Sequence, residues 1–72
     1  DVRVILREAL SCNATTMILC HNHPSGNSRP SQDDDRLTHA LLEAGRIINI
    51  RLLDHVIVTD GSYYSYGDEG RL

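Results

Sequence analysis

The sequence contains no tryptophan, no phenylalanine and no lysine. Without the two largest apolar rings, any core must come from Leu, Ile, Val and Ala, with three tyrosines as the only big side chains. Seventy-two residues make one domain at most, and a chain so short buries a smaller share of its surface than a typical domain. A metal ion, a partner subunit or neighbouring chain is therefore expected to supply part of its stability. With lysine missing, all seven basic residues are arginine, scattered among ten carboxylates for a net charge of −3. A surface built to neutralise phosphates would cluster its basic residues, so direct nucleic-acid binding by this segment is not expected. No apolar run approaches the roughly 18 residues a membrane span requires, and no targeting segment is visible. No membrane partner is expected, and the cytoplasm is the default compartment. Cysteine is scarce too: Cys12 and Cys20 sit inside apolar patterns and read as buried, inert thiols rather than a disulfide.

What is present has a clear order. Val2, Ile5, Leu6, Ala9 and Leu10 follow the spacing of one helical face, predicting a helix over 2–12 that ends at Asn13 in a left-handed conformation. The run "TTMILC", residues 15–20, carries no charge and predicts a strand covered on both faces. Both prolines, one glycine and two asparagines crowd into residues 21–30, which predicts a loop. Ser31 then reads as an N-cap, followed by three carboxylates and apolar positions at 37, 40, 41, 44, 47 and 48, for a helix over 32–48. An apolar stretch to Thr59, an Asp60-Gly61 turn and a short strand at 62–65 predict a hairpin. Helix, strand, helix, strand, strand is an α/β arrangement, with flanking helices on a mixed sheet.

The loop carries the chemistry. Side chains two apart on extended backbone share a side, so His21 and His23 can share a ligand. Neutral imidazole is the commonest protein ligand for zinc, and Asp34, one turn into the next helix, is the nearest third donor. Two imidazoles and one carboxylate would leave an open position for water, whose pKa a bound ion lowers toward about 7. Ser31 has two candidate tasks, capping the helix or donating to a developing oxyanion, with the second slightly favoured. Asp33 and Asp35 read as a first turn favoured by the helix dipole, and His39 as a solvated residue. Asp54 and His55 read as the head of a strand; the carboxylate there could orient a ligating imidazole, but a turn or strand-edge role is preferred. Tyr63, Tyr64 and Tyr66 read as packing for the hairpin, not a base-stacking platform.

His21, His23, Ser31 and Asp34 fit the pattern H-x-H-x(7)-S-x(2)-D, and with "HNHPSG" and "LLDHVIV" the chain resembles the JAMM (MPN) metallopeptidases, specifically their bacterial RadC-like, UPF0758 group. The resemblance runs over nearly the whole chain and implies a cytidine-deaminase-like, JAMM-type α/β fold. It also implies that His21, His23 and Asp34 hold zinc, that Ser31 stabilises a tetrahedral intermediate, and that a glutamate activates the attacking water. In the family that glutamate lies on a strand upstream of the first helix, where this chain begins; Glu8 falls on the helix and does not match it. Residues 1–72 thus correspond to one partial JAMM domain, without its opening strands or the helix-hairpin-helix segment that precedes it.

The expected function is a zinc-dependent hydrolase acting on an amide or isopeptide-like bond of a peptide or protein substrate, impaired in this segment for want of the glutamate. The alternatives are a DNA-repair accessory protein and a non-catalytic metal-binding fold. Self-association through exposed sheet edges is also expected.

Overall fold

The computed structural model describes all residues, 1–72. Helix α1 (Val2–Ser11) is followed by strand β1 (Thr16–Asn22), helix α2 (Gln32–Ile48), and strands β2 (Arg51–Val58) and β3 (Tyr63–Ser65). This is the predicted order. The sheet runs β1-β2-β3, with β1 parallel to β2 and β2 antiparallel to β3, so α2 is the crossover between parallel strands. No helix is long and apolar enough to cross a membrane.

Each element forms for a local reason. Asp1 caps α1 by accepting from the Arg3 N–H at 2.9 Å, and the helix closes into a left-handed Asn13, φ 55°. Ser31 and Asp34 cap α2 reciprocally: the Asp34 N–H donates to Ser31 Oγ and the Ser31 N–H to Asp34 Oδ2, a full capping box. At the other end Asn49 turns left-handed at φ 60°, and the Ile50 N–H donates to the Gly45 carbonyl at 2.9 Å. That tight exit requires glycine at 45, since a Cβ there would stand 2.2 Å from the Ile50 carbonyl oxygen. Gly45→Ala is accordingly expected to destabilise the fold by about 1–3 kcal/mol through overpacking, read as a lower denaturant midpoint. Helix propensity alone would favour alanine, so a stabilised variant would contradict this packing.

The core lies between α2 and one face of the sheet. Leu41, Ile57, His55 and Tyr66 are its largest buried side chains, with Leu52, Ile50 and Ala9 around them. Two expectations fail here. β1 is not covered on both faces: Thr16, Ile18, Cys20 and Asn22 are exposed while Met17, Leu19 and His21 are half-buried. An unbroken apolar run looks the same whether one face or two is covered, and α2 covers only one. For the same reason Cys20 is exposed; Cys12 is exposed as well, at the end of α1. Both are free thiols, as expected.

The strand also outlasts its prediction. Residues 21 and 22 stay in the ladder, His21 opposite Ile57 and Asn22 opposite Val58, and the His23 N–H donates to the Val58 carbonyl at 3.1 Å. Pairing with the long apolar β2 overrides the loop-like composition, so both histidines stand on ordered backbone.

The hairpin end is anchored by Asp54. Its carboxylate accepts from the Ser65 hydroxyl at 2.6 Å, the Gly67 N–H at 2.9 Å and the His55 N–H at 2.8 Å. Burial would raise this carboxyl, but those bonds outweigh it and hold it below the usual carboxylate range.

Candidate metal centre

Three side chains of the sequence-derived set meet in space. His21 projects from β1 on the face toward α2, His23 follows two residues on, and Asp34 reaches back from the first turn of α2. His21 Nε2 lies 3.1 Å from Asp34 Oδ1, His23 Nε2 lies 3.0 Å from Asp34 Oδ2, and the two Nε2 atoms are 3.2 Å apart. One ligand atom from each residue falls within 4.8 Å of the others, a spacing that can hold a metal ion.

The loop between the histidines and α2 is shaped to fix this arrangement. Gly26, at φ 84°, closes a turn in which its N–H donates to the His23 carbonyl at 3.1 Å. That turn brings the Asn27 carbonyl to 2.9 Å from His23 Nδ1. A carbonyl only accepts, so Nδ1 carries the proton and His23 Nε2 presents its lone pair. A lone pair then faces a carboxylate oxygen at 3.0 Å, which is unfavourable unless a cation, a proton or a metal ion, sits between them. Two imidazole nitrogens with one carboxylate oxygen also match the donor set of catalytic zinc sites. The residues present fit a metal.

The electrostatics agree. Burial would raise the Asp34 carboxyl, whose side chain is 12% exposed, but the backbone N–H and side chain of Ser31, then the charges of His21 and His23, outweigh it. Asp34 is held below the usual carboxylate range and is ionised at neutral pH.

Behind the trio lies a layer that the sequence did not assign. His55, fully buried in mid-strand rather than at a strand head, places Nε2 3.0 Å from His21 Nδ1. Its other nitrogen bonds to Thr38 Oγ1, and Thr38 Oγ1 lies 2.9 Å from the Asp34 main-chain carbonyl. Burial, then the neighbouring His21, push the His55 pKa down, so its ring is neutral. Signals for both residues were present: Thr38 sits four residues after Asp34, on the same helix face, and His55 interrupts an apolar strand at a core position. Asp54, the carboxylate considered for orienting a ligand, instead braces the hairpin.

Asp35 is more than a dipole-favoured residue. Its Oδ1 accepts from the Tyr66 hydroxyl at 2.7 Å and from Arg71 at 2.9 Å, tying the C-terminal segment to α2. Asp33 makes only an exposed pair with Arg36, and His39 is exposed, both as expected. Ser31 occupies its cap, and its Oγ accepts from the Asp34 N–H without using the hydroxyl proton. Arg3, Arg7, Arg36, Arg46 and Arg71 each sit within 4.0 Å of a carboxylate, whereas Arg29 and Arg51 form no such pair.

Residues 1–71 match the family described as the RadC-like JAB domain. The chain is 49% identical over 70 residues to a UPF0758 protein of Flavobacterium johnsoniae, covering 97% of this chain and 31% of that protein. It is 52% identical over 68 residues to a UPF0758 protein of Pseudomonas putida (94% and 30%), and 48% identical over 73 residues to one from Porphyromonas gingivalis (100% and 32%). The chain thus spans about a third of the length of these relatives.

Proposed function

Since the chain belongs to the RadC-like JAB domain family, we propose that His21, His23 and Asp34 hold a zinc ion in the hydrolytic site of a longer JAMM-type metallopeptidase. The observation that carries this reading is the convergence of two imidazoles and an ionised carboxylate on one point. When bound, such an ion lowers the pKa of a coordinated water from about 15.7 toward about 7 and supplies a nucleophile near neutral pH.

The chain's own residues provide the rest of this half-site. His21 is fixed by ladder pairing within β1, and His23, just past the strand, by its N–H bond to the Val58 carbonyl and its ring bond to the Asn27 carbonyl. Asp34 stays ionised because Ser31 donates to it. The Ser31 hydroxyl, held at the mouth of α2, donates to the oxyanion that forms when an amide or isopeptide-like carbonyl is attacked. A depression beside His23 is lined by Asn22, Pro24, Gly26 and Thr59. Glu8 is exposed on α1 beside Arg7 at 3.9 Å, and the general-base role is not assigned to it. That role falls to a glutamate from the remainder of the longer protein.

The test is hydrolysis of peptide and isopeptide-linked substrates by the full-length protein, before and after chelation and again with zinc restored. Activity that disappears with the metal and returns with it supports the proposal, while activity indifferent to chelation defeats it. In the same assay Ser31→Ala is expected to lower kcat about 10²–10³-fold with zinc stoichiometry unchanged. Loss of its cap should cost only about 1 kcal/mol of stability. An unchanged kcat would return Ser31 to a purely structural role.

A further inference from the structure

His21, His23 and Asp34 leave unexplained the histidine buried behind them. A leucine at position 55 would fill the core without the cost of taking a polar ring out of water. The hydrogens explain the choice. Thr38 Oγ1 lies 2.9 Å from the Asp34 carbonyl oxygen, one turn earlier on α2. A carbonyl only accepts, so the Thr38 hydroxyl commits its single proton there. Its lone pairs then face His55 Nδ1, which must be the protonated nitrogen of that ring. A neutral imidazole protonated on Nδ1 has its lone pair on Nε2, and His55 Nε2 faces His21 Nδ1 at 3.0 Å. His21 therefore also carries its proton on Nδ1. Its Nε2 is bare, 3.1 Å from Asp34 Oδ1 and 3.2 Å from His23 Nε2.

We propose that His55, anchored by Thr38, is a positioning residue that fixes His21 in the tautomer that leaves Nε2 free to ligate, before any metal arrives. The series of bonds starts at the main-chain carbonyl of Asp34 and ends facing its carboxylate, so the helix that supplies one ligand also orders another. His55 cannot swing away, because Tyr66 stacks on it with centroids 4.8 Å apart and planes 9° from parallel. The Tyr66 hydroxyl in turn donates to Asp35 on α2 at 2.7 Å. His23 reaches the same tautomer by a shorter route, through the Asn27 carbonyl. Two unrelated arrangements that both leave Nε2 bare are what a shared cation requires.

The inference rests on the metal reading above and is tested separately from it. In the metal-free full-length protein with nitrogen-15-labelled histidine, long-range proton–nitrogen spectra should show His21 and His55 both protonated on Nδ1. Zinc affinity should fall about 10–100-fold in Thr38→Val and His55→Leu, and recover in Thr38→Ser and His55→Gln, which restore the lost partners. Should His55→Leu fail to fold, the near-isosteric Thr38→Val decides. Wild-type protein that binds no zinc sinks the reading of the site and the positioning role with it. Zinc-binding protein whose His21 Nδ1 carries no proton, or a Thr38→Val variant with wild-type affinity, overturns the positioning role alone.

Discussion

Asp34→Asn in the full-length protein is expected to lower zinc affinity by more than about 100-fold while leaving the fold nearly intact. Partners that merely orient a ligand are worth about 10–100-fold, and Asp34 is itself a donor and the only carboxylate of the trio. Asparagine preserves the shape and still offers an oxygen to the Ser31 N–H, which Asp34 Oδ2 now accepts at 2.8 Å. The helix start therefore survives, at a cost of about 1 kcal/mol or less. The separation is what makes the substitution informative: competition with a chelator measures affinity, and thermal unfolding without metal measures the fold. An asparagine variant that binds zinc like the wild type would remove Asp34 from the site.

The largest loss of stability is expected at Tyr66. It is 1% exposed and the biggest side chain in a core without Phe or Trp. Tyr66→Ala is expected to cost about 3–5 kcal/mol, against a total of about 5–15 kcal/mol for a typical domain. The variant also strips the stacked ring from His55, so metal affinity should fall with stability. Tyr66→Phe keeps the stack and loses only the hydroxyl bond to the Asp35 carboxylate, about 1.5–3 kcal/mol. Burial, then the bond to Asp35, push the Tyr66 phenol up to about 12. Because the folded value lies above the ordinary one of about 10, this contribution is complete below about pH 10. It is lost as the pH climbs through about 12, where ionisation of the buried phenol favours the unfolded chain. Urea midpoints across that range should fall in the wild type and fall less in Tyr66→Phe. Equal slopes would show that the hydroxyl is not held as described.

The elements and their order were legible because each had its own local signal: the 3.6-residue spacing of α1 and α2, the Ser31 cap with its carboxylates, and the Asp60-Gly61 turn. The three candidate ligands were legible for the same reason, since His21 and His23 lie two apart on a strand and Asp34 one turn into a helix. What was missed depends on tertiary pairing. Residues 21 and 22 look like loop until β2 lies beside them. The open face of β1, with Ile18 63% exposed, looks like core until one asks which helix covers it. His55 and Asp35 belong to the same class. Each is ambiguous alone and gains its role from a partner 17 to 36 residues away in the chain: Thr38 and His21 for His55, Tyr66 and Arg71 for Asp35.

The most direct test of the central claim is X-ray absorption at the zinc edge on the zinc-loaded full-length protein. With His21, His23 and Asp34 as ligands, the first shell should contain only nitrogen and oxygen at about 2.0–2.2 Å, with the outer-shell scattering of two imidazoles. A sulfur shell at about 2.3 Å, which would place the metal on cysteine, or a spectrum lacking imidazole scattering, would contradict it.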